Sequence, residues 1–381
     1  MSFGEIAIIA APALGDLLGE LCERGYTVIG PTIREGAIVY REIRSAEELP
    51  AGWTDVQQPA SYRLQRRGDG ALFGFAVGPH SWKQFLHQPA VTLWRAQLAD
   101  DGAVSFAAEL VERKKLALIG ARSCELHAIA IQDRVLIGET CGDPHYAARR
   151  ADLFVIAVNC TVAGGNCFCV SMKTGPKVEA GYDLALTELI DGSRHEFLVE
   201  VGSELGAEVL QRVARRPADS AARETAESAV RATAQMMGRQ LETDGIRELL
   251  YANLENSRWD DVAARCLACA NCTMVCPTCF CTTVEDHTDL ASRYAERVQR
   301  WDSCFTTGFS HLHAASVRSS IKSRYRQWLT HKLASWIDQF GTSGCVGCGR
   351  CITWCPVGID LTEEVAAIRN SDARRRDRYG A

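Results

Sequence analysis

Residues 265–277 read Arg265-Cys266-Leu267-Ala268-Cys269-Ala270-Asn271-Cys272-Thr273-Met274-Val275-Cys276-Pro277. The cysteines have the Cys-x2-Cys-x2-Cys-x3-Cys-Pro spacing of bacterial iron–sulfur proteins. In this arrangement the first three thiolates bind one cubane, and the fourth binds a second cluster. The spacing therefore predicts a second, matching run in the same chain.

A second run with the same intervals and closing proline occupies residues 345–356: Cys345-Val346-Gly347-Cys348-Gly349-Arg350-Cys351-Ile352-Thr353-Trp354-Cys355-Pro356. The pair predicts two [4Fe-4S] clusters with crossed ligands. One ligand set is Cys266, Cys269, Cys272 and Cys355, and the other is Cys345, Cys348, Cys351 and Cys276. Two four-cysteine zinc sites are the alternative, since thiolates also select zinc. Zinc sites usually pair two Cys-x2-Cys knuckles, which does not explain the three-plus-one spacing.

The composition favours an intracellular metal-binding protein. The chain has 381 residues, enough for two or three domains, and 17 cysteines, most of them grouped at ligand spacing. The apolar patch near the N-terminus lacks preceding basic residues, and no apolar run reaches membrane-spanning length. The net charge of -5 lacks the bulk positive field of a nucleic-acid binder. We therefore expect a cytoplasmic protein with no signal peptide and no nucleic-acid or membrane partner.

The first part of the chain predicts an α/β-type domain over residues 1–205. Runs rich in β-branched and aromatic residues predict strands at 37–40, 72–77, 116–120, 153–158 and 196–201. Apolar spacing predicts helices at 15–24 and 124–136. Residues 206–256, rich in Ala, Arg and Glu, predict a helical connector. Together with the cysteine-rich part, this gives an α+β fold class.

Residues 257–365 are predicted to form an α-helical, ferredoxin-like domain that holds two clusters. The 68 residues between Cys276 and Cys345 exceed what compact ferredoxin hairpins need, and they include a predicted long helix that Gly341 would end. Its apolar stripe consists of Val317, Ile321, Tyr325, Leu329, Leu333 and Trp336. A solvated face is expected for most of Arg318, Lys322, Arg326 and Lys332; the alternatives are that they offset the negative charge of the clusters or face an acidic partner. Residues 366–381 predict a flexible tail.

A third cysteine group is predicted at one edge of the N-terminal sheet. The predicted strands 116–120 and 153–158 both run into cysteines, and adjacent parallel strands would bring these to the edge where α/β sheets bind ligands. The pair Gly164-Gly165 lets the connecting loop fold back. The expected ligands of a third [4Fe-4S] cluster are Cys124, Cys160, Cys167 and Cys169. A zinc site or ordinary buried thiols are the alternatives. For Cys279, Cys281 and Cys304 we expect a packing role; the alternatives are that they shield or tune a cluster, or bind another group.

Five motifs resemble a known family. They are Gly120-Ala121-Arg122-Ser123-Cys124-Glu125-Leu126-His127-Ala128, Asn159-Cys160 with Cys167-Phe168-Cys169-Val170-Ser171-Met172, Cys276-Pro277-Thr278-Cys279-Phe280-Cys281, Arg300-Trp301-Asp302-Ser303-Cys304-Phe305 and Gly341-Thr342-Ser343-Gly344-Cys345. Over nearly its whole length the chain resembles the iron–sulfur β subunits of cytoplasmic NAD(P)-linked [NiFe] hydrogenases, the sulfhydrogenases. More distantly it resembles one of the subunits of anaerobic sulfite reductase. The chain departs from the family at Glu125, usually Asp, and at Lys173, usually Gly, and both departures leave the thiols in place.

The resemblance implies an electron-transfer subunit of an oxidoreductase complex. Its partners would be a flavin-bearing, NAD(P)-binding subunit and the small and large subunits of a [NiFe] hydrogenase. The sequence contains no recognisable nucleophile elbow, zinc-hydrolase motif or P-loop, so we expect no catalysis by the chain alone. Three alternatives stay open: the same role in a sulfite or polysulfide reductase, an iron–sulfur enzyme that binds substrate at an open position of the N-terminal site, and a cluster-based sensor or scaffold.

Overall fold

The computed structural model describes residues 4–138, 142–192, 194–313 and 315–379. Its strands are β1 (Ile6–Ala10), β2 (Thr27–Arg34), β3 (Ala37–Glu42), β4 (Trp53–Gln58), β5 (Ser61–Arg66), β6 (Ala90–Leu98), β7 (Val104–Ala108), β8 (Leu116–Ala121), β9 (Phe154–Val158), β10 (Leu184–Asp191), β11 (Arg194–Val201), β12 (Arg216–Pro217), β13 (Thr282–Thr288), β14 (Tyr294–Trp301), β15 (His311–Leu312) and β16 (Ala315–Ser316). Its helices are α1 (Ala13–Glu23), α2 (Lys83–Leu86), α3 (Ser123–Leu136), α4 (Pro144–Ala151), α5 (Glu204–Gln211), α6 (Ser220–Gln235), α7 (Ile246–Ala252), α8 (Arg258–Arg265), α9 (Asn271–Met274), α10 (Ile321–Thr330), α11 (Trp336–Phe340), α12 (Arg350–Thr353) and α13 (Leu361–Tyr379). A short 3-10 turn covers Ala46–Glu48, and a π turn covers His331–Ser335.

A mixed eight-stranded sheet forms the centre of the N-terminal part, in the order β12-β1-β11-β10-β9-β8-β2-β3. Strands β2, β8, β9 and β10 are parallel neighbours, and antiparallel strands extend the sheet on both sides. The strands predicted at 37–40, 116–120, 153–158 and 196–201 correspond to β3, β8, β9 and β11, and the predicted helices to α1 and α3. Because β8 and β9 are adjacent and parallel, their C-terminal ends lie at the same edge.

Helices cover both faces of this sheet. Alternate residues of β8 contribute to opposite cores: Ala117 and Ile119 pack in the core that includes α1 and α5, whereas Leu116 and Leu118 pack in the core that includes α3 and α4. All five residues of β9 are buried. A parallel strand that is buried on both faces is apolar at every position, which explains the continuous apolar runs in the sequence.

The strand predicted at 72–77 does not form. These residues are buried, but side chains satisfy their backbone: the Glu188 carboxylate accepts the N–H groups of Leu72 and Phe73 at 2.6 and 2.9 Å, and the Asp55 carboxylate accepts that of Ala76 at 2.7 Å. Phe73 joins the same core as α1. The run is apolar because it is buried, and burial alone does not distinguish a strand from an irregular segment.

The sheet domain continues past residue 205, where the sequence predicted a boundary. Helix α5 buries Ala207 and Leu210 in the core with α1, and β12 pairs with β1. Helix α6 packs on β10 and β11. Residues up to Gln235 therefore belong to the sheet domain, whereas α7 packs into the cysteine-rich core.

A four-stranded antiparallel sheet joins the two halves of the chain, in the order β13-β14-β6-β7. The hairpin β13–β14 follows the first cysteine run, and β14 pairs with β6 of the N-terminal part. The sequence predicted an all-helical cluster domain and missed this hairpin. Its strands are largely polar, so they lack the apolar alternation that identifies a strand. The partner of β14 also lies far away in the sequence, so no local pattern indicates the pairing.

The long helix predicted between the cysteine runs forms as three contiguous segments: α10, the π turn and α11. Tyr325, Leu329 and Leu333 are buried along it, as the apolar stripe predicts. Gly341 ends α11 in the left-handed conformation, at φ 68°. Val317 precedes α10 and is 63% exposed, so the stripe begins later than predicted.

Helix α13 begins inside the predicted cluster domain and continues through residues 366–379, for which the sequence predicted a flexible tail. Leu361, Val365 and Ile368 pack into the cysteine-rich core, and the buried Asp372 accepts a hydrogen bond from Asn253 at 3.0 Å. These positions recur at helical spacing, although charged residues between them hide the pattern. Among the described residues no helix is long and apolar enough to cross a membrane.

Candidate metal centres

Each cysteine run folds into a loop that ends in a one-turn helix, α9 in the first run and α12 in the second. Ala268 and Ala270 have φ of 50° and 65°, and Gly347 and Gly349 have φ of 65° and 75°. These left-handed residues lie at the same offsets from the first cysteine of each run. Both loops therefore coil in the same way, as a repeated binding loop requires.

The structure brings Cys355, from the second run, to the first run. Burial raises the pKa of the Cys272 thiol well above its usual value, and negative charge on Cys304, Cys266, Cys355 and Cys269 raises it further. A shared cavity is lined by Cys355 and by the first three cysteines of the first run, Cys266, Cys269 and Cys272. We call Cys266, Cys269, Cys272 and Cys355 the first group.

The structure likewise brings Cys276, from the first run, to the second run. Burial raises the pKa of the Cys351 thiol well above its usual value, and negative charge on Cys345, Cys348 and Cys276 raises it further. Burial also raises the pKa of Cys345 to about 12. We call Cys276, Cys345, Cys348 and Cys351 the second group. The two groups are the crossed sets named from the spacing.

The cavity at the first group fits an iron–sulfur cluster. Its wall also includes Cys351 and the apolar side chains of Phe305 and Ile359. Tyr325 Oη and Trp328 Nε1 have no hydrogen-bond partner among the described residues, and both residues line this cavity. A buried donor without an acceptor is costly. The sulfurs of a bound cluster accept hydrogen bonds, so this donor set and the thiols suit the same occupant.

A site for a single metal ion differs from a cluster site in how its ligands are arranged. In the ranges that the structure describes, no group of three or more His, Cys, Asp or Glu side chains has the arrangement for holding one metal ion. In a cubane each cysteine binds a different iron, so the sulfurs surround a cage instead of sharing one centre. The feature relevant to a cluster is therefore the thiol-lined cavity.

Cys276 differs from the other cysteines of the second group in its electrostatics. The Cys279 side chain donates a hydrogen bond that lowers the pKa of Cys276 well below its usual value, in opposition to burial. Lys332 Nζ at 3.2 Å and Thr278 Oγ1 at 3.1 Å act in the same direction as Cys279. Cys276 is thus favoured as the thiolate, which is the form that binds metal.

Lys332 contradicts the expectation of a solvated basic face, because it is only 3% exposed. It lies in the π turn His331–Ser335. A π turn contains more residues than an α turn, so a stripe drawn with 3.6 residues per turn places Lys332 on the wrong face. The contact of Lys332 with Cys276 fits the alternative interpretation, that basic residues of this helix offset the negative charge of the clusters.

The four N-terminal cysteines also meet. Cys124 lies in the first turn of α3, Cys160 follows β9, and Cys167 and Cys169 lie in the next loop. Burial and the charge of Cys160 raise the pKa of Cys167 to about 12. Burial raises the pKa of Cys169, and charges on Cys160 and Cys167 raise it further; burial and charges on Cys348 and Cys169 raise that of Cys124. We call Cys124, Cys160, Cys167 and Cys169 the third group.

The third group lies against the second. The Phe168 N–H donates to the Gly347 carbonyl at 2.8 Å, and Asn166 Nδ2 donates to Thr353 Oγ1 at 2.8 Å. A Cβ at Gly347 would lie 2.6 Å from the Phe168 carbonyl oxygen, and Gly347 has φ 65°, so only glycine fits there. The sequence could not reveal this contact, because Asn166 and Thr353 are 187 residues apart.

A buried ion pair connects the third group to the second run. Arg350, inside the second run, donates to the Glu125 carboxylate, and the two side chains are 0% and 1% exposed. Glu125 also accepts hydrogen bonds from Tyr40 Oη at 3.0 Å and Trp82 Nε1 at 2.9 Å. The sequence distinguished Glu125 only as a departure from the family's usual Asp and did not predict its ion pair. The structure gives its side chain four partners, because the backbone N–H of Arg122 also donates to it, at 3.1 Å.

Breaking this pair should strongly destabilise the protein. In Arg350→Met the Glu125 carboxylate stays buried without its cation, and such losses cost about 3–5 kcal/mol. Anaerobic thermal unfolding of the cluster-loaded chain measures the change. Arg247→Met is the matched control, because Arg247 pairs with Asp338 at the surface and its loss should leave unfolding unchanged. Equal melting temperatures for the two variants would show that the buried pair contributes no stability.

The remaining cysteines, Cys279, Cys281 and Cys304, lie at the base of the β13–β14 hairpin. The Asp302 N–H donates to the Cys281 carbonyl at 2.8 Å, which sets residues 279–281 beside 302–304. Burial raises the pKa values of Cys281 and Cys304, the latter to about 12. The buried Lys83 donates to the Cys279 carbonyl at 3.0 Å and lies over the Trp301 ring. These contacts are compatible with a packing role for Cys281 and Cys304, whereas Cys279 also donates to the proposed ligand Cys276.

Comparison with known proteins agrees with these features. Residues 265–359 match the 4Fe-4S dicluster domain family. The chain is 28% identical over 345 residues to sulfhydrogenase 2 subunit beta of Pyrococcus furiosus, an alignment that covers 90% of this chain and 92% of that relative. No solved structure matches the chain. The resemblance first seen in the motifs is thus confirmed: the chain contains a 4Fe-4S dicluster domain and is similar along nearly its whole length to a sulfhydrogenase beta subunit.

Proposed function

We propose that this chain is an electron-transfer subunit that relays electrons through three [4Fe-4S] clusters. The observation that carries the proposal is the contiguity of the three cysteine groups. Cys351 of the second group reaches the cavity wall of the first group. The second group in turn packs on the third through the hydrogen bond between Gly347 and Phe168. A relay needs such a series of neighbouring redox centres.

In this proposal each group supplies the four thiolates of one cluster, and the bound clusters supply one-electron chemistry. The chain's own residues hold the thiolates and keep water away: Cys276, Cys345, Cys348 and Cys355 are each 8% exposed. Four thiols, not three, belong to the third group. This favours a closed ligand set over a site where substrate binds an open iron.

The proposed partners are a flavin-bearing, NAD(P)-binding subunit and the small and large subunits of a [NiFe] hydrogenase. The name of the relative, a subunit of a sulfhydrogenase, supports membership of a complex. At the first group Cys269 is exposed, and the neighbouring Leu267 is 63% exposed. This edge gives a partner subunit close access to a cluster.

Quantitation of iron and acid-labile sulfide on the anaerobically purified full-length chain tests the proposal. We expect about twelve irons and as many sulfides per chain, four for each cluster. Stoichiometric zinc in place of iron would contradict an electron-transfer role. Co-purification of flavoprotein and hydrogenase subunits with a tagged chain tests the proposed partners.

The isolated chain should accept electrons without performing either terminal reaction. Dithionite should bleach its visible absorption, because the clusters accept electrons from a strong reductant. The chain should not oxidise hydrogen or bind NAD(P)H, since the proposal assigns those sites to other subunits. Hydrogen uptake by the lone chain, or stoichiometric flavin bound to it, would contradict this division of labour.

A further inference from the structure

In both cysteine runs the sulfur of the first cysteine accepts the same kind of hydrogen bond. The Ala268 N–H donates to Cys266 Sγ at 3.4 Å, and the Gly347 N–H donates to Cys345 Sγ at 3.5 Å. Both are neutral backbone donors two residues after the cysteine. The hydrogen bonds to the first cysteine are therefore equivalent in the first and second groups.

The crossed cysteines differ. Cys355 Sγ, in the first group, accepts from the neutral backbone N–H of Ile359 at 3.3 Å. Cys276 Sγ, in the second group, accepts from Lys332 Nζ at 3.2 Å. A hydrogen bond from a charged donor is about twice as strong as one between neutral groups. The duplicated motif is therefore asymmetric at one sulfur.

The contacts of Lys332 match a charged ammonium. Its Nζ lies 2.9 Å from the Gly344 carbonyl oxygen, 3.2 Å from Thr278 Oγ1 and 3.2 Å from Cys276 Sγ, with Cys279 Sγ further away at 3.8 Å. An ammonium has three N–H donors, and the three nearest partners can each accept one. None of these partners is a carboxylate. The buried positive charge is thus directed at the sulfur of a proposed cluster ligand.

Other buried cations near the cysteine groups are placed differently. The Arg350 guanidinium, beside the second group, acts against the burial that raises the pKa of Cys348, but its charge is paired with the Glu125 carboxylate. Arg324, on the side of the first group, donates to the Phe305 carbonyl at 2.7 Å and to Thr307 Oγ1 at 3.1 Å, not to a cysteine sulfur. Lys332, by contrast, donates to the sulfur of a proposed cluster ligand, and none of its hydrogen-bond partners is a carboxylate.

We propose that Lys332 raises the reduction potential of the second-group cluster above that of the first-group cluster. We call these two the ferredoxin-type clusters. The inference rests on the proposed function, since it requires the clusters. Reduction adds one electron, supplied by the flavin subunit or by a chemical reductant, and so adds negative charge beside the ammonium. A nearby cation stabilises the reduced form more than the oxidised form, which raises the potential. The middle centre of the relay would then be where an electron resides longest.

Redox titration of the full-length chain, followed by electron paramagnetic resonance, tests the role of Lys332. Cys276→Ser and Cys355→Ser assign the signals of the second-group and first-group clusters. In Lys332→Met the midpoint potential of the second-group cluster should become more negative, and that of the first-group cluster should stay unchanged. Lys332→Arg keeps the charge, so the second-group cluster should retain most of its wild-type potential. Lys322→Met is the matched control, because Lys322 lies in the adjoining α10 and pairs with Asp260 at the surface.

Full iron content in Lys332→Met with an unchanged second-group potential would overturn the inference, as would equal shifts of both clusters. If Lys332→Met does not load iron, Lys332→Gln keeps a polar donor without the charge and must show the negative shift. An unshifted Lys332→Gln would also overturn the inference. Failure of the proposed function looks different: the wild-type chain would then lack two separate cluster signals.

Discussion

Replacing Cys276 with serine should abolish the cluster of the second run, although Cys276 lies in the first run. The structure places Cys276 with Cys345, Cys348 and Cys351, because beyond the effect of burial, negative charge on Cys276 raises the pKa of each of these three thiols. Cys276→Ser should lose about four of about twelve irons and one paramagnetic signal. Iron analysis and electron paramagnetic resonance of the reduced chain measure both losses.

Cys355→Ser provides the reciprocal variant. It should remove the paramagnetic signal of the first-group cluster and leave that of the second-group cluster intact. Cys22→Ser is the neutral control, because Cys22 is exposed on α1, away from all three groups. If Cys276→Ser removed the signal assigned to Cys266, Cys269 and Cys272, the crossed arrangement would be wrong.

Cys169→Ser should remove the third cluster and spare the other two. Cys169 is 6% exposed, and its pKa is raised by burial and by charges on Cys160, Cys167 and Cys348. We expect the loss of about four irons and retention of both ferredoxin-type signals. Iron analysis on the full-length chain is the appropriate measurement, because the loop that carries Cys169 packs on the second run.

Two results would contradict a third cluster. Unchanged iron in Cys169→Ser would leave these four thiols as ordinary buried side chains. Loss of zinc, without loss of iron, would identify a structural four-thiolate zinc centre. Cys22→Ser again serves as the control, since it changes a cysteine but none of the groups.

Local patterns in the sequence predicted the features that depend on neighbouring residues. The spacing within each cysteine run, the apolar runs of β8 and β9, and the left-handed end of α11 at Gly341 are all local, and the structure contains them. Burial on both faces leaves a parallel strand no polar positions, so its sequence is easy to identify. The chemistry of the motif also predicts that the two runs exchange their fourth cysteines as cluster ligands, and this ligation stays a prediction.

The features that the sequence did not predict depend on distant contacts. Nothing local marks β14 as the partner of β6, or Phe168 as the donor to Gly347. The segment 72–77 is as apolar as a strand, but Glu188 and Asp55 take its backbone hydrogen bonds. The burial of Lys332 depends on a π turn that helical periodicity does not anticipate.

The measurement that tests the central claim most directly is electron flow through the assembled complex. In a complex that contains Cys276→Ser, hydrogen-dependent reduction of NAD(P) should fall to background. Hydrogen-dependent reduction of an artificial dye at the hydrogenase, and NAD(P)H-dependent dye reduction at the flavin subunit, should persist at wild-type rates. If hydrogen-dependent NAD(P) reduction continued at the wild-type rate while iron analysis confirmed the loss of the second-group cluster, electrons would not pass through this chain.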